Sequence, residues 1–225
     1  MLKKISLSVF DTDMSKVQAL SKYGVSGCSS EKELVNTCKY IFLAIKPQIF
    51  ENVLESISTE VTSNNVIVSI AAGITDEFIE KKTISGAKII LVMPNTPLLL
   101  GCGATALSHN DNVTENEFET ILNIFKMCGK TAVIPKNKMK EIIAINASSP
   151  AFIYLFAKYF IDYATSVGIN SDAATELFSQ SLIGSAKMIS DSGYNIDELI
   201  KMVSSPGGTT IAGLNKLYEG NLADV

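Results

Sequence analysis

The sequence predicts a doubly wound parallel α/β sheet followed by an all-helical domain. Three observations lead there. Strand-like and helix-like segments alternate over the first two-thirds of the chain, the pattern of a parallel sheet. Continuous apolar runs such as Tyr40 to Ile45 mark strands buried on both faces. Strand signals then stop after Lys136, and only helical patterns follow.

In chain order, Ile5 to Phe10 is a short apolar run closed by Asp11, and Met14 to Lys22 places Met14, Val17, Ala19 and Leu20 on one helix face. Gly24 to Cys28 is a link or strand and Glu31 to Cys38 a helix. After Tyr40 to Ile45, Pro47 suits the first turn of a helix whose buried stripe is Ile49, Phe50, Val53, Leu54 and Ile57. Val66 to Ile70 reads as a strand, Thr75 to Lys82 as a helix and Lys88 to Val92 as a strand. Thr114 and Glu117 form a capping box before the stripe Phe118, Ile121, Leu122 and Phe125. Gly129 ends that helix and Thr131 to Ile134 is a strand. Helical segments follow at Met139 to Ala147, Pro150 to Val167, Ser171 to Ser190, Ile196 to Val203 and Thr209 to Tyr218. The expected domains are residues 1–136, of dinucleotide-binding type, and 137–225, helical.

Composition narrows the function. With 47% hydrophobic and 19% charged residues, the chain can bury a sizeable core. Nineteen basic against 23 acidic residues give a net charge of −4, and no basic block suggests a nucleic-acid partner. Four scattered cysteines without a CxxC pair and a single histidine, His109, argue against a zinc site and for a reduced, cytoplasmic protein. His109 lies in the polar run Ser108 to Asn112 and reads as a surface-loop residue. The most apolar stretch, Pro150 to Val167, carries Lys158 and Asp162 and falls short of a membrane span, so no membrane partner is expected. No signal peptide is visible at Met1 to Phe10.

A dinucleotide fold opens with a strand, a glycine-rich turn and a helix, and an acidic residue follows about 20 residues later. Asp11 fits that acidic position, but no GxGxxG occurs in the sequence. Ile5 to Phe10 is therefore expected to be the second strand, with the first strand and phosphate turn, roughly 30 residues, outside this chain. Asp11 or Asp13 also suits a helix cap. A carboxylate facing the ribose favours NADH over NADPH.

Four short motifs carry possible chemistry. Ser205-Pro206-Gly207-Gly208-Thr209-Thr210 is a turn that a ligand can approach closely, set at a helix start where free N–H groups and the dipole favour an anion. An ordinary helix–helix turn with a threonine cap is the plainer reading. Met93-Pro94-Asn95-Thr96-Pro97, followed by Gly101 to Thr105, places Asn95 at the carboxyl end of a strand, where open α/β sheets bind ligands. Ala44-Ile45-Lys46-Pro47 and Ala71-Ala72-Gly73 occupy two more strand ends. The Met93 to Pro97 segment is also compatible with a stiff surface loop, and Lys46 with a solvated side chain.

Together the motifs resemble the pyrroline-5-carboxylate reductase family over nearly the whole chain, from Phe10 onward. The match includes Gly184 to Met188. The resemblance implies a Rossmann-like domain, a helical dimerisation domain, and hydride transfer from NADPH or NADH to an imine, giving proline. It implies that Ala44, Ile45, Lys46, Pro47, Ala71, Ala72, Gly73 and Asn95 contact the cofactor, in addition to Asp11, which its place after a strand assigns to the ribose. Ser205, Pro206, Gly207, Gly208, Thr209 and Thr210 would hold the substrate carboxylate, with Thr210 near the imine nitrogen as the catalytic residue. It also implies a homodimer or higher homo-oligomer acting on a small molecule. The sequence departs from the family pattern at Ala147 and Ser149, where glycines are usual, and at Lys158, where an acid is common. A glycine replaced where φ is positive would strain the loop. The family continues past Val225 with another helix.

Two other readings compete. One is a hydroxyacid or prephenate-type dehydrogenase using Lys187, which leaves the Ser205 to Thr210 motif unexplained. The other is a diverged or truncated paralogue that folds and dimerises without catalysis.

Overall fold

The computed structural model describes residues 5–222. The first four residues of the Met1 to Phe10 segment, read above for a signal peptide, and the last three residues lie outside that range. The chain divides into two compact units, up to Phe152 and from Ile153 onward.

Among the described residues the first unit holds seven strands: β1 (Ser8–Val9), β2 (Ser26–Gly27), β3 (Tyr40–Leu43), β4 (Val66–Ser69), β5 (Lys88–Met93), β6 (Gly103–His109) and β7 (Gly129–Val133). Helices alternate with them: α1 (Met14–Ser21), α2 (Glu31–Thr37), α3 (Pro47–Ile57), α4 (Asp76–Lys82) and α5 (Glu115–Lys126). β1 and β2 form a parallel pair by themselves. The larger sheet runs β3-β4-β5-β6-β7, so β3 is an edge strand among the described residues. Its pairings are parallel except β5 with β6, which is antiparallel.

β6 has no counterpart in the sequence-based expectation, which placed no strand between Val92 and Thr131 and read His109 as a surface-loop residue. Antiparallel neighbours need only a short connection, and here a single 3₁₀ turn, Thr96–Leu100, turns the chain. His109 is accordingly the last residue of β6 and half-buried. Its ring lies 4.4 Å from that of Phe118.

Each helix buries one stripe. Phe50, Leu54 and Ile57 of α3 are fully enclosed against Ile41, Ile67, Ile79 and Ile89, whereas the expected Ile49 is exposed. Phe118, Ile121 and Phe125 of α5 cover Val66, Val68, Ile90, Val92 and Leu107 on the opposite face. The capping box of Thr114 and Glu117 is present. Asp13, not Asp11, caps α1.

The segment after β7 stays with the sheet. Met139 is buried in the core, and Ile142, Ile143 and Ala147 pack against it. Residues Ile143–Ser148 form a π-helical turn rather than the expected α-helix, and α6 (Ser149–Ser166) starts directly after it. This packing is why the compact division falls at Phe152 although the helical pattern starts near 137. Among the described residues the only non-glycine with positive φ is Asn221, so Ala147 and Ser149 sit without backbone strain.

From Ile153 the chain is helical: the rest of α6, then α7 (Ser171–Asp191), α8 (Ile196–Met202) and α9 (Thr209–Glu219). Phe160 stacks on Phe178 at 4.6 Å. Of α7, α8 and α9 only Ala174 is buried. Lys158 pairs with Asp162 one turn later.

Candidate active site

Register explains why three of the motifs meet. Leu43 pairs with Ser69, and Ser69 with Leu91, so β3 and β4 end level and β5 runs only two residues further, to Met93. Ala44 to Pro47, Ile70 to Gly73 and Pro94 to Pro97 therefore leave the sheet at one carboxyl edge. This is where open α/β sheets bind ligands.

At the first of these ends, Ile45 packs on the core while Ala44, Lys46 and Pro47 face solvent. Lys46 occupies the N-cap of α3 without a side-chain cap, and Pro47 opens the helix. At the second, Ala71 N–H donates to Ser69 Oγ at 3.3 Å. Ala72 is exposed, and Gly73 has φ of +79°, a conformation that favours glycine. Thr75 then caps α4 through Phe78 N–H. A cavity of about 180 Å³ opens here, lined by Ala71, Gly73, Met93, Met139, Asp76 and Lys136. Lys136 Nζ lies 3.1 Å from the buried Asp76 carboxylate, and that carboxylate raises the lysine pKa. Sequence reasoning missed this pair, because the partners are 60 residues apart.

At the third end, Asn95 is half-buried and its Oδ1 accepts Ala104 N–H at 2.8 Å. The side chain is thus a tie across the base of its own loop. Asn146, also unnoticed in the sequence, donates from Nδ2 to Met93 O at 2.7 Å and to Ala104 O at 3.2 Å.

Asp11 follows β1, in the separate two-stranded sheet. It accepts Asp13 N–H at 2.8 Å and pairs with Lys16 at 3.4 Å.

Ser205 to Thr210 belongs to the helical unit. Gly207 has φ of +73°, and Gly208 is the N-cap of α9 with no side-chain cap. The threonine cap that the plainer reading required is absent; Thr209 and Thr210 are instead exposed on the first turn. No acidic residue stands in that turn. The backbone donors of a helix start are left for an anion. Lys187 is exposed within α7. Among the described residues no three His, Cys, Asp or Glu side chains are grouped to hold a metal ion.

Comparison with known proteins fits this arrangement. Residues 136–225 match the family model for pyrroline-5-carboxylate reductase dimerisation, and residues 5–73 match that of NADP oxidoreductase, coenzyme F420-dependent. The Escherichia coli pyrroline-5-carboxylate reductase is 34% identical over 212 residues, 94% of this chain and 79% of its own. The chain belongs to the pyrroline-5-carboxylate reductase family. Pyrroline-5-carboxylate reductase 3 of Danio rerio is 36% identical, covering 92% of this chain and 72% of its own. The Plasmodium falciparum pyrroline carboxylate reductase, solved with NADP bound, is 32% identical with a TM-score of 0.83, over 88% of this chain and 76% of that one. Family membership confirms the Rossmann-like and helical architecture expected of the sequence.

Proposed function

We propose that the chain reduces 1-pyrroline-5-carboxylate to proline by hydride transfer from NADPH or NADH. One observation carries this reading: 34% identity to a pyrroline-5-carboxylate reductase across 94% of the chain. Features of the sheet edge and of α9 support it. Small residues and open backbone at Ala71 to Gly73 let a flat ring approach the carboxyl edge, with Ala44 to Pro47 and Asn95 beside it. The exposed start of α9 suits a carboxylate. Within Ser205 to Thr210, where Pro206 has no N–H and Gly208 N–H already donates to Ser205 O, the other backbone N–H groups orient the substrate, and the Thr210 hydroxyl lies near the imine nitrogen to orient or protonate it. The nicotinamide supplies the hydride; the protein supplies position and electrostatics. Asp11 meets the adenosine ribose.

We infer a homodimer or larger assembly. Phe152, Tyr159 and Tyr163 are 55%, 65% and 68% exposed in the isolated chain, an apolar density rarely left to water. The match of residues 136–225 to a dimerisation model supports the same reading.

The direct test is loss of dihydronicotinamide absorbance on mixing the purified protein, either cofactor and pyrroline-5-carboxylate, with proline as the assayed product. Turnover supports the reading. A folded protein that consumes neither cofactor overturns it in favour of the non-catalytic paralogue.

A further inference from the structure

Three asparagines are buried in the first unit, and two use both ends of their amides. Asn65 accepts from the N–H and hydroxyl of Thr62 and donates to Val35 O and Cys38 O. Asn110 accepts from Ile89 N–H and donates to Ala87 O. Such satisfied amides are structural plugs. Asn146 differs. Its Nδ2 donates twice, but its Oδ1 is buried with no partner. Turning the amide over would set oxygen against two carbonyl oxygens, so the orientation is fixed.

Two features place Asn146 beside the chemistry. It sits in the π-helical turn Ile143–Ser148, a conformation that recurs at functional sites. Its two acceptors, Met93 O and Ala104 O, flank the loop that carries Asn95. Asn95 grips Ala104 from the other side, through its N–H. One residue of β6 is thus held at both backbone groups by two asparagines, one of them bridging to β5.

We propose that Asn146 is a positioning residue for the reduction, holding the Asn95 loop at the carboxyl edge of the sheet. The proposal rests on the reading of Asn95 as a cofactor contact. An orphaned buried acceptor is unfavourable; its retention fits a side chain fixed for what it holds.

The test is a cycle of Asn146→Ala, Asn95→Ala and the double variant, read by steady-state kinetics and by amide hydrogen exchange. Each single substitution raises KM for the cofactor about tenfold, with a smaller change for the imine, and the double variant is no worse than Asn95→Ala alone. Exchange at the Ala104 amide accelerates in Asn146→Ala while β3 and β4 amides keep their protection. If the alanine variant does not fold, Asn146→Ser, which keeps one donor, carries the comparison. Losses that multiply to about a hundredfold in the double variant would overturn the proposal. So would an Ala104 amide that exchanges as in the wild type. Absence of wild-type turnover removes the functional reading instead, and the Ala104 exchange still decides whether Asn146 holds the loop.

Discussion

Asp11 and Thr210 are single side chains on which the proposed chemistry turns. A carboxylate that accepts from both ribose hydroxyls repels a 2′-phosphate, although Lys16 at 3.4 Å already offsets part of its charge. Asp11→Ala is expected to raise the NADPH-to-NADH ratio of kcat/KM by about tenfold, measured with both cofactors at saturating imine. An unchanged ratio would remove Asp11 from the ribose. Thr210→Val keeps the shape of an exposed first-turn residue, so melting temperature should stay constant while kcat falls about a hundredfold. Both residues were singled out in the sequence, Asp11 by its place after a strand and Thr210 by its motif. Asn146 and Lys136 were not: one is tied to residues 53 and 42 positions away, the other to a residue 60 away. Long-range pairing of ordinary polar residues leaves no periodic trace in a sequence.

Elements follow local rules where the rules are strong. The capping box of α5, Pro47 at the start of α3 and the continuous apolar strands could all be read directly. β6 could not, because Gly103-Ala104-Thr105-Ala106 lacks large apolar residues and opens on a glycine. Its place depends on close backbone contact instead. A Cβ on Gly129, where φ is +144°, would stand 2.0 Å from Gly103 O. Gly129→Ala should therefore cost about 3 kcal/mol or more, read as a large drop in denaturation midpoint. Glu117 joins α5 to the sheet through Lys39 and Lys88, both at 2.9 Å. Burial alone would raise its pKa, but hydrogen bonds from both lysines and from Thr114 hold it down at about 2. Its contribution is present above the ordinary value of 4.5 and lost as pH falls towards about 2. Glu117→Gln should destabilise by about 3 kcal/mol at neutral pH and flatten that acid limb in denaturant titrations.

At the scale of the whole molecule, the first unit carries nearly all of the buried core, while α7, α8 and α9 bury only Ala174. The helical unit thus needs a surface to cover it, and in the proposed assembly a second copy of the chain supplies one. Tyr163→Glu should shift sedimentation from dimer or larger species towards monomer. A wild-type monomer at micromolar concentration would count against the assembly. The division into sheet and helices was legible because periodicity changes near Lys136; the antiparallel pairing of β5 and β6 was not, since strand direction leaves no periodicity of its own. The measurement that tests the central claim most directly is mass spectrometry of the product formed from pyrroline-5-carboxylate and dihydronicotinamide cofactor deuterated at the transferred position. Proline carrying one deuterium at the former imine carbon is the result expected. Unlabelled proline, or no proline from the folded protein, would contradict the account.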